Sequence, residues 1–113
     1  MTTIQKGDSP LTLVNVFHVQ PENQQALADL LIEMTERTMR HRPGFVSVNV
    51  HKSHDGKRVV NYAQWRSMDD FKAMQGDAEA GAEMRKAAQL AESYDPILCS
   101  VVETISATSE TAV

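Results

Sequence analysis

Four stretches of this chain carry the two-residue period of a strand, and two carry the period of a helix. Their order leaves few folds open. "LTLVNVFHV" (Leu11–Val19) is β-rich and alternating. Pro21 then opens a helix where its missing N–H costs nothing. Leu27, Leu30, Leu31, Met34 and Thr38 recur at three- and four-residue intervals and mark one buried face through about His41. Pro43 and Gly44 stop that helix. Phe45–Lys52 reads as a second strand, Asp55-Gly56 as a hairpin turn, and Lys57–Arg66 as a third strand. Ser67 and Asp70 have the spacing of a helix cap for a short helix over Met68–Met74. "QGDAE" interrupts it, a further helix runs from about Ala78 to Glu92, and Pro96 precedes a last strand, "ILCSVVETI".

The order β-α-β-β-α-β, with its second helix broken, predicts an α+β chain of the split-βαβ, ferredoxin-like plan: a four-stranded antiparallel sheet with helices on one face. Residues 1–10 read as a flexible N-terminal arm, 11–105 as one domain and 106–113 as a flexible tail. In "VVNYAQWRS" the even residues Val60, Tyr62, Gln64 and Arg66 share one face. That face is too apolar at Val60 and Tyr62 for solvent alone, and no further helix remains to cover it. The expectation is a two-fold homodimer formed sheet to sheet.

Val59, Asn61, Ala63 and Trp65 then face the helices. Strand one repeats the pattern: Leu13, Asn15, Phe17 and Val19 make an apolar face broken by one amide. An unpaired buried amide costs on the order of 1–3 kcal/mol, so each Asn needs a partner. Two explanations stand open: the amides bond to each other or to a bulge in the sheet, or they point into a pocket under the helices. Ala63, between Asn61 and Trp65, leaves room for a ligand, although a Trp on such a face is often plain packing. Val46, Val48 and Val50 are expected on the helix side of strand two. His51 and His18 then fall on the opposite face, His41 and His54 in a helix end and a turn, and Cys99 reads as a small core residue.

Composition narrows the function classes. A net charge of −4 without a long basic run argues against a nucleic-acid partner. No apolar stretch is long enough to span a membrane, and "MTTIQKGDSP" lacks the apolar centre of a secretory signal. One cysteine excludes an internal disulfide framework and fits a reducing cytoplasm. Neither a zinc motif nor a glycine-rich nucleotide loop occurs, which weakens metal, dinucleotide and nucleotide-triphosphate readings.

"VNYAQWRS", preceded by "PGFVSVNVHKSHDGK" and followed by Phe71, resembles the antibiotic biosynthesis monooxygenase family, and within it the cofactor-independent anthrone oxygenases of aromatic polyketide pathways. The resemblance covers about Leu11 to Ile105. It implies a dimeric α/β barrel and oxidation of an anthrone-type carbon to a quinone by molecular oxygen, with no flavin, haem or metal. It places Asn61 and Trp65 at the family's strand-three Asn and Trp, and Asn15 at a strand-one Asn found in some members. Arg85 matches an arginine on the last helix, although a solvated helix residue is the plainer reading. Two tyrosines of the actinorhodin-pathway enzyme correspond to Val50 and Phe71, so both hydroxyls are missing here. Asn61, Trp65 and Asn15 are thus the implied catalytic residues, and Arg85, Phe71, Phe17 and Val50 the implied substrate-binding ones. The haem-degrading relatives use a histidine in the second helical region, and Met68–Glu92 contains none. A cofactorless isomerase, a small-metabolite detoxification enzyme on the same barrel, and a non-catalytic ligand-binding dimer remain as alternatives.

Overall fold

A computed structural model describes residues 1–108. The strands are β1 (Gly7–His18), β2 (Phe45–Lys52), β3 (Arg58–Trp65) and β4 (Ser93–Val101); the helices are α1 (Gln24–Arg37), α2 (Met68–Gln75) and α3 (Ala78–Leu90). The sheet order is β2-β3-β1-β4, antiparallel throughout. This is the ferredoxin-like α+β fold that the order of periodicities predicts. No helix among the described residues is long and apolar enough to cross a membrane.

Local chemistry explains the boundaries. Pro21 opens a short 3-10 turn that leads into α1, whose period-matched Leu27, Leu31 and Met34 are buried with Ala28. Ser67 caps α2 by accepting the Asp70 N–H at 3.2 Å, and Asp77 caps α3 by accepting the Ala80 N–H at 2.9 Å. Holding that N–H helps keep the Asp77 carboxyl below the usual carboxylate range. Gly44 has φ +82°, and its carbonyl accepts the Arg66 N–H at 2.7 Å. A Cβ there would fall 2.3 Å from the Asp70 side chain, so this turn admits only glycine and ties the start of β2 to the start of α2.

The core lies between the sheet and the helices. Leu13, Phe17, Val59, Ala63 and Trp65 meet Leu27, Leu31, Met34, Phe71, Met74, Ala80 and Ala87. A fully buried side chain such as Leu27 or Leu31 contributes roughly 1.5–3 kcal/mol. At its outer edge the helical layer is tied together by Arg37, whose Nη2 reaches Glu83 Oε1 at 2.7 Å, and by Thr38, whose hydroxyl donates to Glu79.

Several boundaries differ from those read in the sequence. β1 begins at Gly7, so residues 7–10 of the expected arm belong to the sheet, with Gly7 opposite Val101. β4 begins at Ser93 rather than after Pro96. Pro96 lies inside it, tolerated because β4 is an edge strand with one neighbour. The register of β2 slips between Phe45 and Ser47. That bulge turns Phe45 onto Trp65, edge to face at 5.7 Å, and leaves Val46 exposed instead of facing the helices. Cys99 is half-buried opposite Thr12 on the outer face, outside the core. The last residues of the expected tail, 109–113, lie outside the described residues.

The outer face of the sheet has two halves. Near its β2–β3 end the chain's own arm lies across it: Gln64 donates to the Thr3 carbonyl at 2.8 Å and accepts from Ser47, while the Thr2 hydroxyl donates to Asn49. Gln64 is therefore buried by the same chain. The other half is apolar at its centre, in Val14, Val16, Val60, Tyr62 and Ile97, with Asp95 and His51 flanking it on β4 and β2.

Candidate active site

The register decides where the two amides go. Asn15 pairs directly with Asn61, Asn61 with Val50, and Asn15 with Pro96, so one row crosses all four strands on the face beneath the helices. Directly opposed strand residues hold their Cβ atoms about 5 Å apart. Asn15 is 5 % exposed. The Oδ1 atoms of both residues are buried without a hydrogen-bond partner, and neither side chain bonds to any other described residue. The amides therefore do not satisfy each other, and no bulge satisfies them.

Both amides line a cavity of about 280 Å³ between sheet and helices. Ala63 and Trp65 continue the wall along β3, and Leu13 and Phe17 along β1. Leu31, Met34 and Thr35 of α1, Phe71 and Met74 of α2, and Ala80, Gly81 and Met84 of α3 roof it. Small residues make the space: Ala63 stands between Asn61 and Trp65, and Ala80 and Gly81 hold α3 close without filling the volume. Trp65 is 2 % exposed and fixed between Phe45 and Phe71, the latter 6.4 Å away between ring centres. The cavity is open to solvent on one side, and its apolar walls with two unpartnered amides have the form of a binding site.

The site is uncharged. Among the described residues, the cavity lining contains no His, Cys, Asp, Glu, Lys or Arg, and Tyr94 is its one titratable group. No cluster of three or more His, Cys, Asp or Glu among the described residues could hold a metal ion. The perturbed carboxyls all lie elsewhere. Ser53 holds Asp55 below its usual range in the hairpin turn, and Arg66 does the same to Asp70 at the α2 cap.

Of the residues singled out in the sequence, Asn15, Asn61, Trp65, Phe17 and Phe71 come together around the cavity. Val50 and Arg85 do not line it. Val50 packs against the core beside the cavity, and Val48 supplies the β2 wall instead. Arg85 is exposed on α3, its Nη1 3.6 Å from where a Gly81 Cβ would lie. Tyr94 and Pro96 also line the cavity, because β4 begins at Ser93 and not after Pro96 as the sequence suggests. The alternation of Tyr94, Pro96 and Leu98 is the signal that would have found them.

The comparisons with known proteins agree with this geometry. The model of the family described as antibiotic biosynthesis monooxygenase matches residues 10–88. A tetracenomycin-F1 monooxygenase from Streptomyces glaucescens is 46 % identical over 109 residues, covering 96 % of each chain. The solved monooxygenase from the ActVA-Orf6 gene of Streptomyces coelicolor, in complex with nanaomycin D, is 28 % identical with a TM-score of 0.77, covering 88 % of this chain and 94 % of that one. SnoaB, a cofactor-independent oxygenase from Streptomyces nogalater, shares the fold at 20 % identity with a TM-score of 0.71, covering 86 % and 97 %. With its family model spanning most of the length and a relative so similar end to end, the chain belongs to the antibiotic biosynthesis monooxygenase family.

Proposed function

We propose that this monooxygenase oxidises a flat, polyphenolic substrate of the anthrone type to a quinone with molecular oxygen and without a cofactor. The observation that carries the reading is the unpartnered Asn15–Asn61 pair facing a cavity walled by Trp65. The names of the similar proteins, one for tetracenomycin F1 and one bound to nanaomycin D, support the substrate class.

Triplet oxygen reacts poorly with closed-shell carbon, so the substrate must become electron-rich. Loss of a proton from the anthrone CH₂ gives a carbanion delocalised as an aromatic enolate. One electron passes from it to oxygen, and the substrate radical and superoxide combine into a peroxide at that carbon. Protonation and loss of water leave the new carbonyl, so one oxygen atom enters the product and the other leaves as water. The amide hydrogens of Asn61 and Asn15 stabilise the developing enolate oxygen, and Trp65 packs on the rings with its indole N–H toward the substrate or peroxide oxygen. Apolar walls hold the plane of the substrate and exclude bulk water. The lining supplies no carboxylate or imidazole base, so the acidity comes from the substrate and the proton leaves to water at the open side. Phe17 and Phe71 are aromatic walls of the substrate site; Val50 packs beside it, and Arg85 is an exposed helix residue outside it.

The active form is a two-fold dimer through the apolar half of the outer face, around Val16, Val60 and Tyr62. Light scattering is expected to give twice the 12.5 kDa of one chain, and Val60→Glu to give a monomer. A wild-type monomer at micromolar concentration contradicts the dimer.

Oxygen uptake with the model anthrone dithranol tests the reaction. Uptake is expected, unchanged by chelators, and Asn61→Ala and Trp65→Phe should each slow turnover roughly 100- to 1,000-fold, in line with the loss of one preorganised donor. Full activity in both variants rules out the site, and binding without oxygen uptake favours an isomerase or a ligand-binding protein. Stability should move the other way. Because the Asn15 oxygen is buried without a partner, Asn15→Leu should leave unfolding free energy unchanged or raise it by about 1–3 kcal/mol in urea titrations. A clear loss of stability would mean that the amide is structural.

A further inference from the structure

Tyr94 takes no part in the chemistry just described, yet it stands in the cavity wall. Its register partner is Phe17, which puts its side chain on the face beneath the helices. Its ring lies 5.9 Å from that of Phe17, tilted by 32°, so one aromatic neighbour fixes its plane. It lines the same cavity as the amides, is 50 % exposed, and makes no hydrogen bond to another described residue. The chain's other tyrosine, Tyr62, lies on the opposite face of the sheet. Tyr94 is therefore the phenol that the sheet offers to the cavity, at its open side along the β4 edge.

Its spacing from the amides has a meaning. One strand spacing across and two residues along separate the backbones of Tyr94 and Asn15 by roughly 8 Å, and Asn61 lies one strand further on. Phe17 and Pro96 lie between Tyr94 and the Asn15–Asn61 pair and present no hydrogen-bonding side-chain atom. The wall thus has a polar station at each end and an apolar middle, the pattern of a flat fused-ring molecule with oxygens at both ends. We propose that Tyr94 is a substrate-binding residue whose hydroxyl hydrogen-bonds an oxygen on the ring remote from the reacting carbon, selecting substrates hydroxylated on that terminal ring. The inference deepens the substrate reading above and rests on it.

Trp65 is the only tryptophan in the chain, so its emission reports binding without turnover. Emodin and chrysophanol share two peri hydroxyls that bond internally to the quinone carbonyl; they differ by one outward terminal-ring hydroxyl, the group free to meet Tyr94, and serve as probes. Wild-type protein is expected to bind emodin roughly 2- to 10-fold tighter than chrysophanol, the range of one net hydrogen bond. Tyr94→Phe, which keeps the ring on Phe17, should bind the two alike and bind chrysophanol as the wild type does. A preference retained in Tyr94→Phe, or absent from the wild type, overturns the proposal. Oxygen uptake measured on the same samples separates the two claims. Uptake with the preference unmoved by Tyr94→Phe removes Tyr94's role and leaves the oxygenase standing. A preference lost in Tyr94→Phe without any uptake supports Tyr94 and removes the oxygenase.

Discussion

The cross-strand pairing of Asn15 with Asn61 is the constraint on which the rest of the site depends. Side chains alternate along a strand, so one step of slippage between β1 and β3 would send one of the two amides to the outer face and bring its neighbour, Val16 or Val60, beneath the helices. The register is held by apolar residues on either side of the pair: Leu13 and Ala63 at one end, Phe17 and Val59 at the other, all buried. The same residues that drive folding thus hold the two amide oxygens buried and out of reach of each other. Leaving those groups unpartnered works against stability, and the fold tolerates it because the surrounding core is large enough to offset the loss.

The roof follows from the same economy of space. α1 fills its side with Leu27 and Leu31, which are fully buried, whereas α3 approaches through Ala80, Gly81 and Ala87. Methionines 34, 39, 74 and 84 border the cavity, and their flexible side chains can follow the outline of a planar guest. Met68, by contrast, is exposed at the start of α2. Charge is kept in the Arg37–Glu83, Arg42–Asp77 and Arg66–Asp70 pairs and out of the cavity lining. An uncharged cavity suits chemistry in which the substrate itself supplies the electrons and the protein supplies donors and dryness.

Much of this could be read from the residues, and the failures have physical causes. The alternation in "VVNYAQWRS" places Asn61, Ala63 and Trp65 on one face, and the structure keeps them there. The helix faces, the Asp55-Gly56 turn and the Ser67 cap also follow from local rules. The β2 bulge does not, because nothing in "GFVSV" says which residue is left unpaired; it exposes Val46. Pro96 is a misleading marker: proline usually ends a pattern, but on an edge strand it is harmless, and Tyr94 was hidden behind it. Arg85 shows the limit of carrying a residue over by position alone, since a helix register puts it beside Gly81 at the surface rather than in the cavity.

The central claim is that Asn15 and Asn61 await a ligand in the space before them. A crystal structure of the protein soaked with a hydroxylated anthraquinone tests it most directly. The account predicts the ring system lying between Trp65 and the α2–α3 roof, with one of its oxygens within hydrogen-bonding distance of the Asn61 amide. A cavity closed by repacked side chains, with Asn15 and Asn61 bonded to each other and the anthraquinone bound elsewhere, would contradict it.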